Sequence, residues 1–372
     1  MAINKTMTSK QRFEAVCEHH IPDRFPINYL ASAGIDKKIK DYYGVNSERE
    51  LLDELGCDFY FMSVRDVSQN EAFMRIYRGP ELKMTETERV CPLGICFKRN
   101  VYDWKFGADE ALTGPLRNAS SPKDILNHRW PDPDWFDLEA LMPECEDYSD
   151  KVIISGFWTA ILGDAMRMHG FENFFANMVL NPDMIKTLIN RLADFYLELN
   201  DRLFSILKGK IQIFFMGNDF GSQHGLFFSR DMWKEYYFEN YKKFVDLAHS
   251  YGLKAMVHSC GAISGILDLM IEAGVDIIDP VQTTAVGMEP ETLRDKFGKN
   301  IVFHGAIDTQ QILPNGTPQS VRKHVIDTLD VLGKHGGYIF APCNNLQGDI
   351  PVENIHSIYK AAKEYKPSGY KG

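Results

Sequence analysis

An α/β architecture closed into a barrel of eight parallel strands is what this 372-residue sequence predicts, and three observations predict it. Short apolar runs bounded by turn residues recur eight times along the chain. Most of these runs are apolar almost throughout instead of alternating, as strands buried on both faces must be. Amphipathic helical stretches separate them, which is the pattern of a parallel sheet covered by helices, and eight such units close on themselves.

The elements follow in order. Residues 1–22 read as an N-terminal helical segment. The strand runs are FPINYL (25–30), CDFYFMSV (57–64), KVIISGF (151–157), IQIFFMG (211–217), KAMVHS (254–259), VDIIDPV (275–281), IVFHGAI (301–307) and GYIFAPC (337–343). Between them lie helical stretches such as RDMWKEYYFENYKKFVDLAHSYG, AISGILDLMIEAG and TPQSVRKHVIDTLDVLGKHGG. Two stretches break the rhythm. Residues 70–150 hold the hairpin-like EAFMRIYRGPELKMTETE and CPLGICFKRNVYDWKF and then RWPDPDWFD, an excursion over one end of the barrel. The span from about 164 to 207 reads as two helices split near NPDM, where Asn181 caps and Pro182 begins the second. The whole chain, 1–372, is thus a single (β/α)8 TIM-barrel domain with an insertion between strands 2 and 3. A doubly wound open sheet is the alternative, but neither GxGxxG nor GxxxxGK[ST] follows a strand, so the usual nucleotide-site signatures of that fold are missing.

Composition narrows the function. The chain is 44% hydrophobic and 25% charged, and no run of 18 apolar residues exists to cross a bilayer. The opening MAINKTMTSKQRFEAVCEHH lacks the apolar core of a signal peptide, so a cytoplasmic location is expected. A net charge of −10 without basic, aromatic-interleaved patches argues against nucleic acid and anionic lipid. Small molecules or protein partners remain. Seven scattered cysteines are too few for a disulfide framework, and an odd number, so they are expected to be thiols.

Barrel enzymes build their sites at the C-terminal ends of the strands. Those ends carry Asn28, Arg65, Asp66, Trp158, Asn218, Asp219, His258, Cys260, Gln282, His304, Asp308, Cys343 and Asn344. Asn28, Gln282, Asp308 and Asn344 are equally well explained as helix caps or partners of loop backbone, and Arg65 with Asp66 as a simple ion pair. The stretch 257-VHSCGAI-263 is different, because His258 and Cys260 are two apart on a strand end and share a face. Cys343, ending its strand inside APCNN, completes a His/Cys/Cys set. Two thiolates and an imidazole suit zinc and leave a fourth position open, the pattern of a catalytic site. Strands five and eight are not neighbours, however, so both ends must lean toward the axis, and spacing alone leaves open that these are two core thiols and a satisfied histidine. Asp219, in GNDFG, is either a substrate-orienting carboxylate or resting fourth ligand, or a cap. His304 either orients a ligand or the substrate or is a satisfied core histidine. His224, in a glycine-bounded loop, is a candidate proton shuttle.

The runs NDFGSQHGLFFSRDMWKEYY, HSYGLKAMVHSCGAI, GVDIIDPVQ, GMEPETLRDKFG, FHGAIDTQQILPNGTP and GGYIFAPCNNLQGDIPVENI, spread over roughly residues 150–365, resemble the uroporphyrinogen decarboxylase superfamily. More narrowly they are similar to its zinc methyltransferase branch, which includes the methylcobalamin:coenzyme M methyltransferases of methanogens and relatives in anaerobic bacteria. The resemblance implies the same barrel, and an H-x-C plus a later Cys as zinc ligands, which fall on His258, Cys260 and Cys343. True decarboxylases carry an N-terminal arginine-rich segment that holds the porphyrinogen carboxylates. Here the corresponding run is DRFPINYLASAGID, where Arg24 survives and the two later arginines are absent. The resemblance therefore implies zinc-dependent methyl transfer to or from a corrinoid, with a thiol acceptor or a methoxy, methylamine or methylthiol donor. No D-x-H-x-x-G signature is present, so the corrinoid is expected on a separate protein docking at the barrel mouth. A metal-free porphyrinogen decarboxylase and an idle barrel that only binds a corrinoid protein are the alternatives.

Overall fold

The computed structural model describes residues 6–62, 75–102 and 106–370, and within them ten strands: β1 (Phe59–Phe61), β2 (Glu88–Val90), β3 (Cys96–Tyr102), β4 (Phe106–Thr113), β5 (Val152–Ser155), β6 (Ile213–Gly217), β7 (Lys254–His258), β8 (Ile277–Val281), β9 (Val302–Ile307) and β10 (Tyr338–Pro342). Seven of them form one parallel sheet in the order β1-β5-β6-β7-β8-β9-β10. Sequential order with every neighbour parallel is what strand–helix repeats produce. β5, β6, β8, β9 and β10 are buried along their whole length, which accounts for their near-continuous apolar character.

The eighth run, 25–30, closes the sheet through single bridges instead of a full ladder. Asn28 N–H donates to Phe340 O at 2.8 Å and Phe340 N–H to Pro26 O at 2.9 Å, so the segment lies beside β10. On its other side Asp58 N–H, just before β1, donates to Ile27 O at 2.8 Å. A charge cluster reinforces that seam. Asp58, fully buried, receives Arg12 Nη1 at 3.0 Å, Arg24 Nη1 at 2.5 Å and the Ile27 N–H at 2.8 Å. Arg24 also donates to the carbonyl oxygens of Gly56 and Phe25. The surviving arginine of the N-terminal run is thus committed to holding the barrel shut.

The excursion holds a three-stranded antiparallel sheet, β2-β3-β4, whose pairing runs from Cys96 opposite Thr113 to Tyr102 opposite Phe106. The run 71–88 was expected to form a hairpin-like unit, yet only Glu88 at its end enters a strand, and residues 71–74 lie outside the described set. Arg65 and Asp66 also lie outside it, as do residues 1–5 of the N-terminal segment, whose helix spans Ser9–Cys17. The helical span after β5 comprises three helices instead of two: Ile161–His169, Phe171–Leu180 and Pro182–Ile206. Gly170, at φ 90°, supplies the extra break, because a residue with that dihedral cannot continue a right-handed helix. Pro182 begins the last helix as expected, but the Asn181 side chain does not cap it and donates to Ser120 O at 2.8 Å.

Candidate metal centre

Strand register assembles the site. Gly217 on β6 is paired with His258 on β7, and His258 with Asp279 on β8. Paired residues of parallel strands project to one face, so the His258 ring meets the Asp279 carboxylate, with Nδ1 to Oδ2 at 2.6 Å. The other oxygen of Asp279 meets His304 Nδ1, from β9, at 2.5 Å, and His304 Nε2 meets the Asn28 amide nitrogen at 3.0 Å. Asn28, Asp279 and His304 are all buried, at 2%, 3% and 1% exposure.

Past His258 the chain leaves the sheet. Cys260 N–H donates to Asp219 Oδ1 at 2.9 Å, which ties the loop after β7 to the loop after β6. Gly261 then turns at φ 90°, with its α-carbon so close to the neighbouring loop that a Cβ would stand 2.4 Å from Gly221 O. Only glycine fits, and this is why the strand end stops there. Asp219, His258 and Cys260 each offer one ligand atom, and the three atoms lie within 4.8 Å of one another. His258 Nε2 stands 3.4 Å from Asp219 Oδ1 and 3.6 Å from Cys260 Sγ, while the Asn344 amide nitrogen approaches that sulfur at 3.7 Å.

Cys343 follows directly on β10 and lines, with His258, a cavity with about 130 Å³ of space open to water. Its sulfur is not one of the three closely grouped atoms and stands 3.4 Å from Thr309 Oγ1. The polar part of the cavity wall comes from Asn28, His304, Asp279, Asn344 and Asn345, and the aromatic part from Trp158, Phe61 and Phe215. The Trp158 ring lies 5.4 Å from that of His258 and packs against Gly217, where a Cβ would stand 2.5 Å from the indole.

Charge follows from these contacts. Burial alone would raise Asp279, but the two imidazoles hold its carboxyl well below the ordinary range. Desolvation likewise opposes ionisation of Asp219, yet the hydrogen bond and charge of His258 and the Cys260 N–H keep it lowered. For His258 desolvation lowers basicity, while Cys260, Asp219 and Asp279 together raise it well above the usual value. Burial pushes the Cys343 thiol up. Imidazole, thiol and carboxylate converging on one point, with the far nitrogen of the imidazole anchored by a buried carboxylate, is a donor set and an orientation that fit zinc.

The remaining candidates sort differently. Asp308 caps the turn after β9, accepting from the N–H groups of Gln310, Gln311 and Ile312. Gln282 accepts from Gly261 N–H and donates to Gln223. Asn218 joins Leu162 N–H, Thr159 O and Tyr241. His224 is exposed on the loop after β6 and is not part of the cavity wall. Asp279 was not among the residues singled out from sequence. The signal was present, because an aspartate inside the apolar run VDIIDPV must be paired once both faces of the strand are buried. All seven cysteines are free.

Comparison with known proteins adds the following. A family model described as uroporphyrinogen decarboxylase (URO-D) matches residues 133–365. A methylcobamide:CoM methyltransferase MtbA of Methanosarcina acetivorans is 24% identical over 236 residues, 62% of this chain and 63% of that protein. A methylated-thiol–coenzyme M methyltransferase of Methanosarcina mazei is 22% identical over 278 residues, 70% of this chain and 67% of that one. The chain thus spans a little under two thirds of the length of the first of these relatives. The solved structure of a methyltransferase from Methanosarcina mazei superposes with a TM-score of 0.66 at 16% identity, covering 96% of this chain and 99% of that one, which shows a shared fold.

Proposed function

Since the chain belongs to the uroporphyrinogen decarboxylase family, by a match that spans residues 133–365, we propose that it is a zinc-dependent methyltransferase that moves a methyl group to or from a corrinoid carried by a separate protein. The observation that carries this reading is the convergence of His258, Cys260 and Asp219 at the C-terminal ends of adjacent barrel strands. The two relatives named above, both methyltransferases by name, support it. The decarboxylase alternative is disfavoured because Arg24, the one arginine retained from the carboxylate-binding run, is engaged by Asp58 at the barrel seam.

In this reading His258, Cys260 and Cys343 would hold the ion, with Asp219 as a further donor until substrate arrives. Zinc so bound supplies Lewis acidity, lowering the pKa of an acceptor thiol or polarising a methylated ether, amine or thioether. The protein residues do the rest. Asp279 fixes the plane of the His258 ring, Asn344 donates toward Cys260, and Trp158, Phe61 and Phe215 shield the cavity from water so that an in-line displacement is aligned and dry. Methyl donor or acceptor enters from the barrel mouth, where the corrinoid protein docks.

The test mixes purified protein with methylcobalamin and a panel of thiols, and in the reverse sense with a Co(I) corrinoid protein and methoxy-aromatic, methylamine or methylated-thiol donors, following the cobalt spectrum. Zinc is expected at one ion per chain, and its removal is expected to abolish transfer. A rate that survives complete zinc removal, or turnover of a porphyrinogen, overturns the proposal.

A further inference from the structure

The buried side chains behind His258 form a line with a direction. It begins at a backbone group whose polarity cannot change: Tyr29 N–H donates to Asn28 Oδ1 at 2.8 Å. With its oxygen so occupied, Asn28 turns its NH2 toward His304 Nε2 at 3.0 Å, which obliges that nitrogen to accept. A neutral imidazole that accepts at Nε2 carries its proton on Nδ1, and His304 Nδ1 is 2.5 Å from Asp279 Oδ1. The remaining carboxylate oxygen faces His258 Nδ1 at 2.6 Å and can only accept, so His258 also carries a proton on Nδ1. Nε2 of His258 is then the nitrogen that must give up its proton for a lone pair to be presented, and it faces Asp219 and Cys260. The three members behind His258 are at most 3% exposed, and each polar atom in the line already has a protein partner.

We infer that Asn28, His304 and Asp279 are positioning residues that write the tautomer of His258, with the peptide N–H of Tyr29 as the fixed end of the chain. The inference rests on the zinc reading above for its purpose, but its geometry stands without a metal. It also assigns His304 a role away from the reacting atoms: both ring nitrogens are occupied by protein partners, so it moves no proton to substrate.

The chain predicts a paradoxical rescue. In Asp279→Asn the new side chain offers one acceptor and one donor in place of two acceptors. His304, held by Asn28, still demands the acceptor, so the new NH2 falls to His258 Nδ1, which must surrender its proton there and carry it on Nε2, where it blocks an ion. Zinc affinity, measured by competition with a chromogenic chelator and by the visible spectrum of the cobalt(II)-substituted protein, should fall about 10–100-fold, the range for loss of an outer hydrogen-bond partner. Adding His304→Phe to Asp279→Asn removes the competing claim, lets the amide turn its oxygen to His258, and should recover most of that loss. If the carboxylate acts only by its charge or by filling space, the second substitution recovers nothing or weakens binding further, and the inference fails. A second measurement does not depend on metal. Two-dimensional ¹H–¹⁵N spectra of the ¹⁵N-histidine-labelled, metal-free wild type should show His304 protonated on Nδ1, with Asn28→Asp as the assignment variant. A proton on Nε2 of His304 overturns the inference even if zinc binds, while failure of the wild type to bind zinc with His304 on Nδ1 overturns the zinc reading and leaves the chain intact.

Discussion

His258 has one nitrogen against a buried carboxylate and the other between a thiol and a second carboxylate. His258→Ala should therefore lower methyl transfer by orders of magnitude while the barrel stays folded, with a lowered melting temperature because Asp279 loses a buried partner, read by activity and circular dichroism in parallel. Cys260→Ser and Cys343→Ser should each lose zinc by elemental analysis, and full retention in both would refute the ligand set. Serine at Cys17, Cys91, Cys96 or Cys145 should retain it, since Cys91 and Cys145 are buried elsewhere and Cys145 points its thiol at Met62 Sδ. His258, Cys260 and Asp219 were legible because strand alternation and the positions of strand ends are properties of short stretches. Asp279 was not, because its partners His258 and His304 are 21 and 25 residues away and only register brings them together.

At the scale of elements, the pairing of β6 with β7 does more than align two strands. It sets Gly217 beside His258, and the absent side chain leaves the surface on which Trp158 lies. Gly217→Ala should push the indole off its seat, lowering the melting temperature through overpacking of about 1–3 kcal/mol and changing the tryptophan emission. Gly225, in the loop after β6, has open space and no positive φ, so Gly225→Ala is the neutral control. The parallel strands were readable from their apolar runs; within the excursion the run CPLGICFKRNVYDWKF does hold β3 and the start of its antiparallel partner β4, whereas the described part of 71–88 reaches β2 only at Glu88, with an antiparallel bridge of Met84 to Arg89. The extra helix break at Gly170 was likewise hidden, since a lone glycine inside a helical pattern is usually tolerated.

For the whole molecule, closure depends on the seam between residues 26–30, β10 and β1, where no long ladder forms and Asp58 gathers two guanidinium groups. Arg24→Met leaves that buried carboxylate short of a partner and should destabilise the fold by about 3–5 kcal/mol in urea unfolding, the range for breaking a buried pair. Asp23 adds a pH dependence of defined sign. Partial burial opposes its ionisation, but Arg12 holds its native pKa below the ordinary carboxylate range. Its contribution is fully present above pH about 4, the unfolded value, and is lost as pH falls through the lower native one. Asp23→Asn should therefore flatten the fall in stability on the acid side while costing stability at neutral pH. Eight strand runs predicted a closed barrel, and the seam shows why counting was sufficient while its chemistry stayed hidden: Arg24 resembled a ligand-binding remnant until Asp58 stood beside it.

That seam also imposes a timetable on biosynthesis. Ile27 and Asn28 are neighbours, one bonded to the Asp58 cluster that shuts the barrel and the other to His304, 276 residues further on. The edge facing β1 can pair early, but a ribosome must deliver β9 and β10 before the other edge is filled, so the nascent chain carries the HSC stretch before its histidine has all of its partners. On the zinc reading, any uptake by that stretch before His304 is in place would occur on a chain that has not yet fixed which nitrogen of His258 to present.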